Sequence, residues 1–226
     1  MLRLCFACLA LSTGAAQAAL ISFEEYSAGD IVGDMVIDGV TVSVTGASND
    51  GYGAMIYDSR TPSQADPDLG GPFTDVRGGD DIAPGNIVVL SEDGNSSNVD
   101  DASSGGFMEF VFDVPIVFES FIAFDMNKVG QISLELFDDN GSLGSVSNQF
   151  AGANNSYEFI EFFASNVTRA VFDFNKGGAI GEIAFQAPSF VSADTIRETP
   201  LPTAGLLFTV GAALVLRRKR RATPMG

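Results

Sequence analysis

The sequence predicts an all-β fold, a two-sheet antiparallel sandwich that is jelly-roll-like. Three observations predict it: apolar and polar residues alternate in short runs, phenylalanine is frequent at 19 of 226 residues, and Gly, Asn, Asp and Pro separate the runs. Period-two patterning with aromatic and β-branched side chains is typical of strands. Between Ala19 and Thr199 no stretch shows a convincing helical period.

This pattern predicts about ten strands. The clearest runs are Gly106–Val114, Phe121–Met126, Ile132–Phe137, Tyr157–Phe163 and Val171–Phe174. Two hairpin signals connect strands: Asp38-Gly39, and Asp138-Asp139-Asn140-Gly141, where Asn-Gly tolerates the positive φ values of a type I′ turn. Pro115 predicts a bend or a sheet edge. We expect the long polar segment 59–85 to cross one rim of the sandwich. Loops of this length in a compact domain are usually functional or disordered.

The N-terminus has the layout of a secretory signal peptide over residues 1–18. One positive charge precedes the apolar run Leu4–Leu11, and Ala16-Gln17-Ala18 is a small-x-small triplet, which predicts cleavage by signal peptidase after Ala18. The alternative, a buried terminal strand or helix, does not account for the triplet. Both cysteines lie inside this segment, so the mature chain has no disulfide and no thiolate metal site.

The C-terminal segment, residues 199–226, follows the domain predicted over residues 19–198. It contains Pro200-Leu201-Pro202, then an uncharged run, then a basic cluster formed by Arg217, Arg218, Lys219, Arg220 and Arg221. As a helix, Leu201–Leu216 is about 24 Å long, just under what crosses a bilayer comfortably. The basic cluster should stay cytoplasmic, which places the body outside the inner membrane. An ordinary C-terminal anchor has the same topology without processing.

This order of parts resembles the PEP-CTERM class of bacterial sorting tails, in particular the VPLPA variant. Pro200, Leu201 and Pro202 match, while Thr199 and Thr203 stand for the usual Val and Ala. The resemblance implies processing near the Pro-Leu-Pro motif by an exosortase of a Gram-negative bacterium. It also implies release to, or attachment at, the cell surface, often in cells that make exopolysaccharide.

Charge and composition restrict the function further. The chain carries a net charge of −17, and residues 19–199 contain all 29 acidic residues but only six of the twelve basic ones, a net charge of −23. Nucleic acid and anionic lipid surfaces are therefore poor partners. Histidine is absent, and with no mature cysteine the usual bases, zinc ligands and nucleophile–base pairs are missing. We therefore predict no enzymatic activity. A carboxylate-based glycan hydrolase is the weakest alternative.

The body resembles secreted jelly-roll domains that precede such tails and are similar to carbohydrate-binding modules. The residues that carry this resemblance are Ile21-Ser22-Phe23-Glu24, Asp66-Pro67-Asp68-Leu69, Gly105–Phe110 and Gly178–Phe185. In related modules the last strand holds an acidic ligand of a structural calcium, but Gly181 occupies the first acidic place here. Because first and last strands of a jelly roll are commonly neighbours, one calcium could bind a subset of Glu24, Asp66, Asp68 and Glu182. The alternative is that these are solvated carboxylates or turn caps.

Glycan binding needs exposed aromatic rings beside polar groups. Tyr52 and Tyr57, just before the long loop, are the best candidates, although tyrosines at strand ends are more often buried. The sequence thus predicts an exported cell-surface or extracellular-matrix protein without catalysis. The alternative is a calcium-dependent carbohydrate-binding module that acts on exopolysaccharide.

Overall fold

The computed structural model describes residues 18–125, 130–147 and 155–188. Its strands are β1 (Ala18–Ile21), β2 (Met35–Ile37), β3 (Val40–Ser48), β4 (Ala54–Asp58), β5 (Thr74–Asp75), β6 (Asn86–Leu90), β7 (Gly106–Phe124), β8 (Ile132–Asp138), β9 (Gly141–Ser147), β10 (Ser156–Phe174) and β11 (Ala179–Gln186). Within this part of the chain, a single turn of 3-10 helix, Pro67–Leu69, is the only helical element. The all-β prediction is confirmed. The sorting motif, the basic cluster and all but the last residue of the predicted signal peptide lie outside the described residues.

Two strands of 19 residues, β7 and β10, pair with each other along both layers of the sandwich. The first half of β7 pairs with β3 and its second half with β11. Pro115 lies between these halves, in a stretch with no paired residue on β3, β10 or β11. This local gap in the pairing agrees with the predicted bend or sheet edge, since proline has no N–H to donate to a ladder.

The first layer has the order β2-β3-β7-β10-β8-β9, and the second has β4-β6-β11-β7-β10 with β1 beside β11. All pairings are antiparallel except the short one between β5 and β10. A phenylalanine-rich core joins the layers: the Phe112 and Phe185 rings are 5.6 Å apart, and those of Phe121 and Phe172 are 5.0 Å apart. Eight of the phenylalanines lie in this core, whereas Phe107, Phe159 and Phe163 are exposed.

The two predicted hairpins form, but with different turns. Asp38 and Gly39 between β2 and β3 have φ values of 50° and 81°, as a type I′ turn requires. Between β8 and β9 the turn residues are Asp139 and Asn140, and neither has positive φ. The Asp138 carboxylate accepts hydrogen bonds from the N–H groups of Asn140 and Gly141 instead. The type I′ prediction is therefore wrong at this turn.

The long polar loop packs on a sheet face and does not merely cross a rim. Leu69 and Phe73 of the loop are fully buried against the outer face of the second layer, where they meet Tyr57 and Phe124. Phe73 and Phe124 have ring centroids 4.7 Å apart. The few apolar residues of segment 59–85 therefore form a second core, which also includes Val99 from the following loop.

Candidate metal centre

An acidic cluster lies where two polar loops meet over this second core. Asp66 comes from the loop after β4, while Asp100 and Asp101 come from the loop between β6 and β7. One carboxylate oxygen from each lies within 4.8 Å of the others. Asp66 is buried, and Asp100 and Asp101 are partly buried. We call these three residues the carboxylate cluster.

Hydrogen bonds hold the two loops together beside the carboxylate cluster. The Ser63 hydroxyl donates to the carbonyl of Val99 at 2.7 Å and accepts from the Asp66 N–H at 3.0 Å. The side-chain oxygen of Asn98 accepts from the N–H groups of Gln64 and Ala65, at 3.1 and 3.2 Å. From below, the Tyr57 hydroxyl donates to the Asp66 carbonyl. The position of Asp66 relative to the second loop is therefore fixed.

A third segment approaches from the turn between β10 and β11. A Cβ atom added to Gly177 would lie 2.2 Å from Oδ2 of Asp101, so only glycine leaves room for this carboxylate. On the other side, Asp101 forms a bridge with Ser91, at the end of β6. The carboxylate cluster thus lies at the end of the second layer where β11 begins.

Burial and mutual repulsion act on the charges of this site. Burial raises the pKa of Asp66 and of Asp101, because the ionised forms lose hydration. Hydrogen bonds with the carboxyl groups of Asp68 and Asp101 raise the pKa of Asp66 further, whereas the hydrogen bond with Asp66 lowers the pKa of Asp101. Burial also raises the pKa of Asp100, with Glu92 adding repulsion.

Two further aspartates surround the carboxylate cluster. Burial raises the pKa of Asp125 to about 6, although its Oδ1 accepts a 2.7 Å hydrogen bond from the Asn155 N–H. The Asp125 charge in turn raises the pKa of Asp101, and the Asp68 charge raises that of Asp66. In the described part of the chain, none of the ion pairs within 4.0 Å involves Asp66, Asp100 or Asp101.

The four predicted calcium ligands do not lie together. Asp66 belongs to the carboxylate cluster and Asp68 is near it, but Glu24 forms an ion pair with Arg60 at 3.0 Å and accepts from the Asn86 N–H at 2.8 Å. Glu182 is exposed on β11. The expected pairing of the first and last strands does occur, between β1 and β11. However, Glu24, which comes just after β1, forms its ion pair with Arg60 and does not meet Glu182 or Asp66.

The two predicted ligand-binding tyrosines differ in environment. Tyr52 is 42% exposed and its ring lies against Gly94, where an added Cβ would be 2.8 Å from the ring. Tyr57 is only 1% exposed and packs in the second core, so it has no free face for a sugar ring. Sequence reasoning missed Asp100 and Asp101 as site residues; the adjacent acidic pair in a polar stretch was their only signal.

A polar groove of about 460 Å³ runs beside the hydrogen-bonded loops. Its rim carries hydroxyl and amide side chains, contributed by Thr61, Ser63, Gln64, Ser96, Ser97 and Asn98. The groove shares Ser63 and Asn98 with the contacts that position Asp66.

Comparison with known proteins does not identify a family. No protein-family model matches the chain, and no curated protein matches it. Among solved structures, the chain is similar to the enzymatically active domain of tailspike protein 4 of bacteriophage CBA120, with 14% identity, 64% of this chain and 18% of that chain covered, and a TM-score of 0.30.

It is also similar to CBM51 from Clostridium perfringens GH95, solved in complex with methyl-galactose. Here the identity is 10%, the coverage is 74% of this chain and 99% of that chain, and the TM-score is 0.31. Separately, among the described residues no helix has the length and apolar character needed to cross a membrane.

Proposed function

We propose that this chain is an exported cell-surface or extracellular-matrix protein without catalytic activity. Signal peptidase removes residues 1–18, and an exosortase-type protease of a Gram-negative bacterium processes the tail near Pro200-Leu201-Pro202. Before that step, the apolar tail and its basic cluster hold the protein in the inner membrane. The proposal rests on the sequence of the two ends and on one geometric observation.

That observation is the pairing of β1 with β11. The two strands are antiparallel, and Ala18 is opposite Gln186. Cα atoms of directly paired antiparallel residues are about 5 Å apart, so the chain enters and leaves the sandwich at the same end. This arrangement suits a precursor held by a signal peptide and by a C-terminal tail, because both ends have to reach one membrane.

The carboxylate cluster lies at the other end of β11. Gly177 and Asp101 meet just before Ala179, whereas the chain ends emerge beside Gln186. Seven residues of strand span about 23 Å. The carboxylate cluster and the paired ends of β1 and β11 therefore lie at opposite ends of β11.

Cell fractionation tests the sorting proposal. In the producing bacterium, wild-type protein should appear shortened in the surface or extracellular fraction. A variant with Pro200→Ala and Pro202→Ala should keep its C-terminal tail and stay in the inner membrane, because the motif that the protease reads is lost. Pro224→Ala, a proline change behind the basic cluster, is the matched control and should be processed normally. Normal processing of the double variant would contradict the proposal.

A second candidate, glycan binding, is favoured by the polar groove. Hydroxyl and amide groups are the partners that sugar hydroxyls need, and the groove presents six such side chains. The ligand would be the exopolysaccharide of the producing cell. A pull-down of the full chain with this polysaccharide should be weakened by Gln64→Ala with Ser97→Ala, and left unchanged by Tyr52→Phe. Equal retention of the wild type and both variants on the polysaccharide would count against glycan binding in the groove.

A further inference from the structure

The carboxylate cluster brings three acidic groups from two loops to one point. We propose that Asp66, Asp100 and Asp101 bind one calcium ion. This site differs from the one implied by the resemblance to carbohydrate-binding modules, since Glu24 and Glu182 take no part and two ligands come from the loop between β6 and β7. The inference does not depend on export or on glycan binding.

The spacing of the oxygens fits calcium. Calcium binds oxygen ligands at 2.3–2.6 Å, so two ligands on opposite sides of the ion are roughly 5 Å apart. The three carboxylate oxygens lie within 4.8 Å of one another. A single ion can therefore contact all three with small side-chain adjustments.

An unsatisfied oxygen is the second observation that points to a cation. Asp66 is 6% exposed, and its Oδ2 atom has no hydrogen-bond partner in the described residues. Leaving a buried carboxylate oxygen without a donor or a cation is costly. With all three groups ionised, none of them has a hydrogen to donate. A metal ion would satisfy all three carboxylates at once.

The donor atoms select a hard cation. Carboxylate oxygens suit calcium and magnesium. The chain has no histidine and the described residues include no cysteine, so the ligands that softer metals prefer are missing here. Magnesium requires near-ideal octahedral geometry at 2.0–2.1 Å, while calcium accepts more ligands and irregular geometry. Ligands from two irregular loops, with a glycine backbone beside Asp101, favour the larger ion.

A bound ion would attach the two loops to each other over the second core. The hydrogen bonds of Ser63 and Asn98 already join them. Calcium would add a charge-neutralising link between Asp66 on one side and Asp100 and Asp101 on the other. The loops also form the polar groove, so the shape of the groove would depend on calcium.

Thermal unfolding tests the site. The full-length chain in mild detergent is stripped with EGTA and then titrated with calcium chloride while circular dichroism is followed. At calcium 100-fold above the dissociation constant, the melting temperature should rise by about 5 to 10 °C. Magnesium at the same concentration should give a clearly smaller shift. An unchanged melting temperature overturns the proposal, and an equal magnesium shift overturns the assignment to calcium.

Asparagine variants locate the effect. Asp101→Asn and Asp66→Asn should lose the calcium shift. In EGTA they should melt no lower than the wild type, because the amide removes repulsion and can donate a hydrogen bond. Asp139→Asn, in the exposed β8–β9 turn, is the matched control and should respond like the wild type. A full calcium shift in Asp101→Asn would place the ion elsewhere and overturn the proposal.

Terbium gives an independent readout, because the chain has no tryptophan and tyrosine must sensitise the ion. Tyr57 donates a hydrogen bond to Asp66 and is next to the site. Terbium luminescence excited through tyrosine should be strong in the wild type, displaced by calcium, and reduced several-fold by Tyr57→Phe. Tyr52→Phe should retain it. Luminescence lost in Tyr52→Phe instead would contradict this location.

Discussion

Gly177 is the residue that most tightly restricts the carboxylate cluster. A methyl group at this position would collide with the Asp101 carboxylate at 2.2 Å. We expect Gly177→Ala to displace Asp101, to destabilise the calcium-loaded protein by about 1–3 kcal/mol and to weaken its calcium response.

Gly33→Ala is the control for this prediction, since an added Cβ there meets nothing within 4 Å. It should leave the melting curve in calcium almost unchanged. Equal behaviour of the two variants in differential scanning calorimetry would show that the close approach of Gly177 to Asp101 has no energetic consequence.

The buried aspartates predict an unusual pH dependence for the metal-free protein. Asp66, Asp101 and Asp125 have pKa values raised by burial, the last to about 6, above the roughly 4 of an unfolded aspartate. The folded state then binds more protons than the unfolded state, so stability falls as pH rises. For Asp125 this loss of stability runs from about pH 4 to about pH 6, and above that pH its contribution no longer changes.

In EGTA, the free energy of unfolding should therefore be higher at pH 5 than at pH 7.5, as measured by urea unfolding. Asp125→Asn should reduce this slope, because it removes one of the groups that gains a proton on folding. A metal-free protein that becomes more stable from pH 5 to pH 7.5 would contradict the raised pKa values of these aspartates.

Only part of this site was predictable from the sequence. The D-x-D spacing around Pro67 drew attention to Asp66 and Asp68, and Asp66 does lie in the carboxylate cluster. Asp100 and Asp101 looked like any acidic pair in a polar loop. Their role depends on Ser63 and Asn98, whose hydrogen bonds join segments about 35 residues apart, and no local pattern encodes that contact.

Among the elements, the loop between β4 and β5 is more ordered than its composition indicates. Phe73 is fully buried and its ring contacts Phe124 of β7. We expect Phe73→Ala to destabilise the protein by about 3–5 kcal/mol, measured by urea unfolding, because a large cavity opens under the loop.

Phe163→Ala is the matched control, since this phenylalanine is 66% exposed on β10. It should change stability by no more than about 0.5 kcal/mol. If Phe73→Ala were as mild as Phe163→Ala, the segment 59–85 would not form a core with the second layer.

Strand prediction succeeded where the alternation is regular and failed where it shifts. The runs around β8 and the start of β7 match the observed strands. The sequence divided β7 at Pro115, yet the strand continues to Phe124. The β-bulges of β10 between Glu161 and Arg169 lie opposite this region and change the register, so the period-two pattern breaks while the strand continues.

At the scale of the whole molecule, closure of the sandwich depends on its last strand. β11 pairs with β1, β6 and β7, so it holds the first strand of the chain in place. A chain that ends at Gly178 should therefore be cut rapidly by protease within the second layer. A chain that ends at Pro188 keeps β11 and should resist. Equal resistance in a limited proteolysis time course would show that β11 is dispensable.

The same pairing connects the fold to the proposed export. Ala18 and Gln186 are opposite each other, so the two ends of the described sandwich lie side by side. The sequence predicts a signal peptide and a sorting tail from charge and apolar length, but the closeness of Ala18 and Gln186 follows only from the strand pairing. Neither the strand pairing nor the proposed export requires a bound ligand.

The mass of the intact protein recovered from the producing bacterium tests this account most directly. Export and sorting predict a mature chain that begins at Ala19 and ends close to Pro200, without the basic cluster. A full-length mass from Met1 to Gly226 in a cytosolic fraction would contradict the account at both ends.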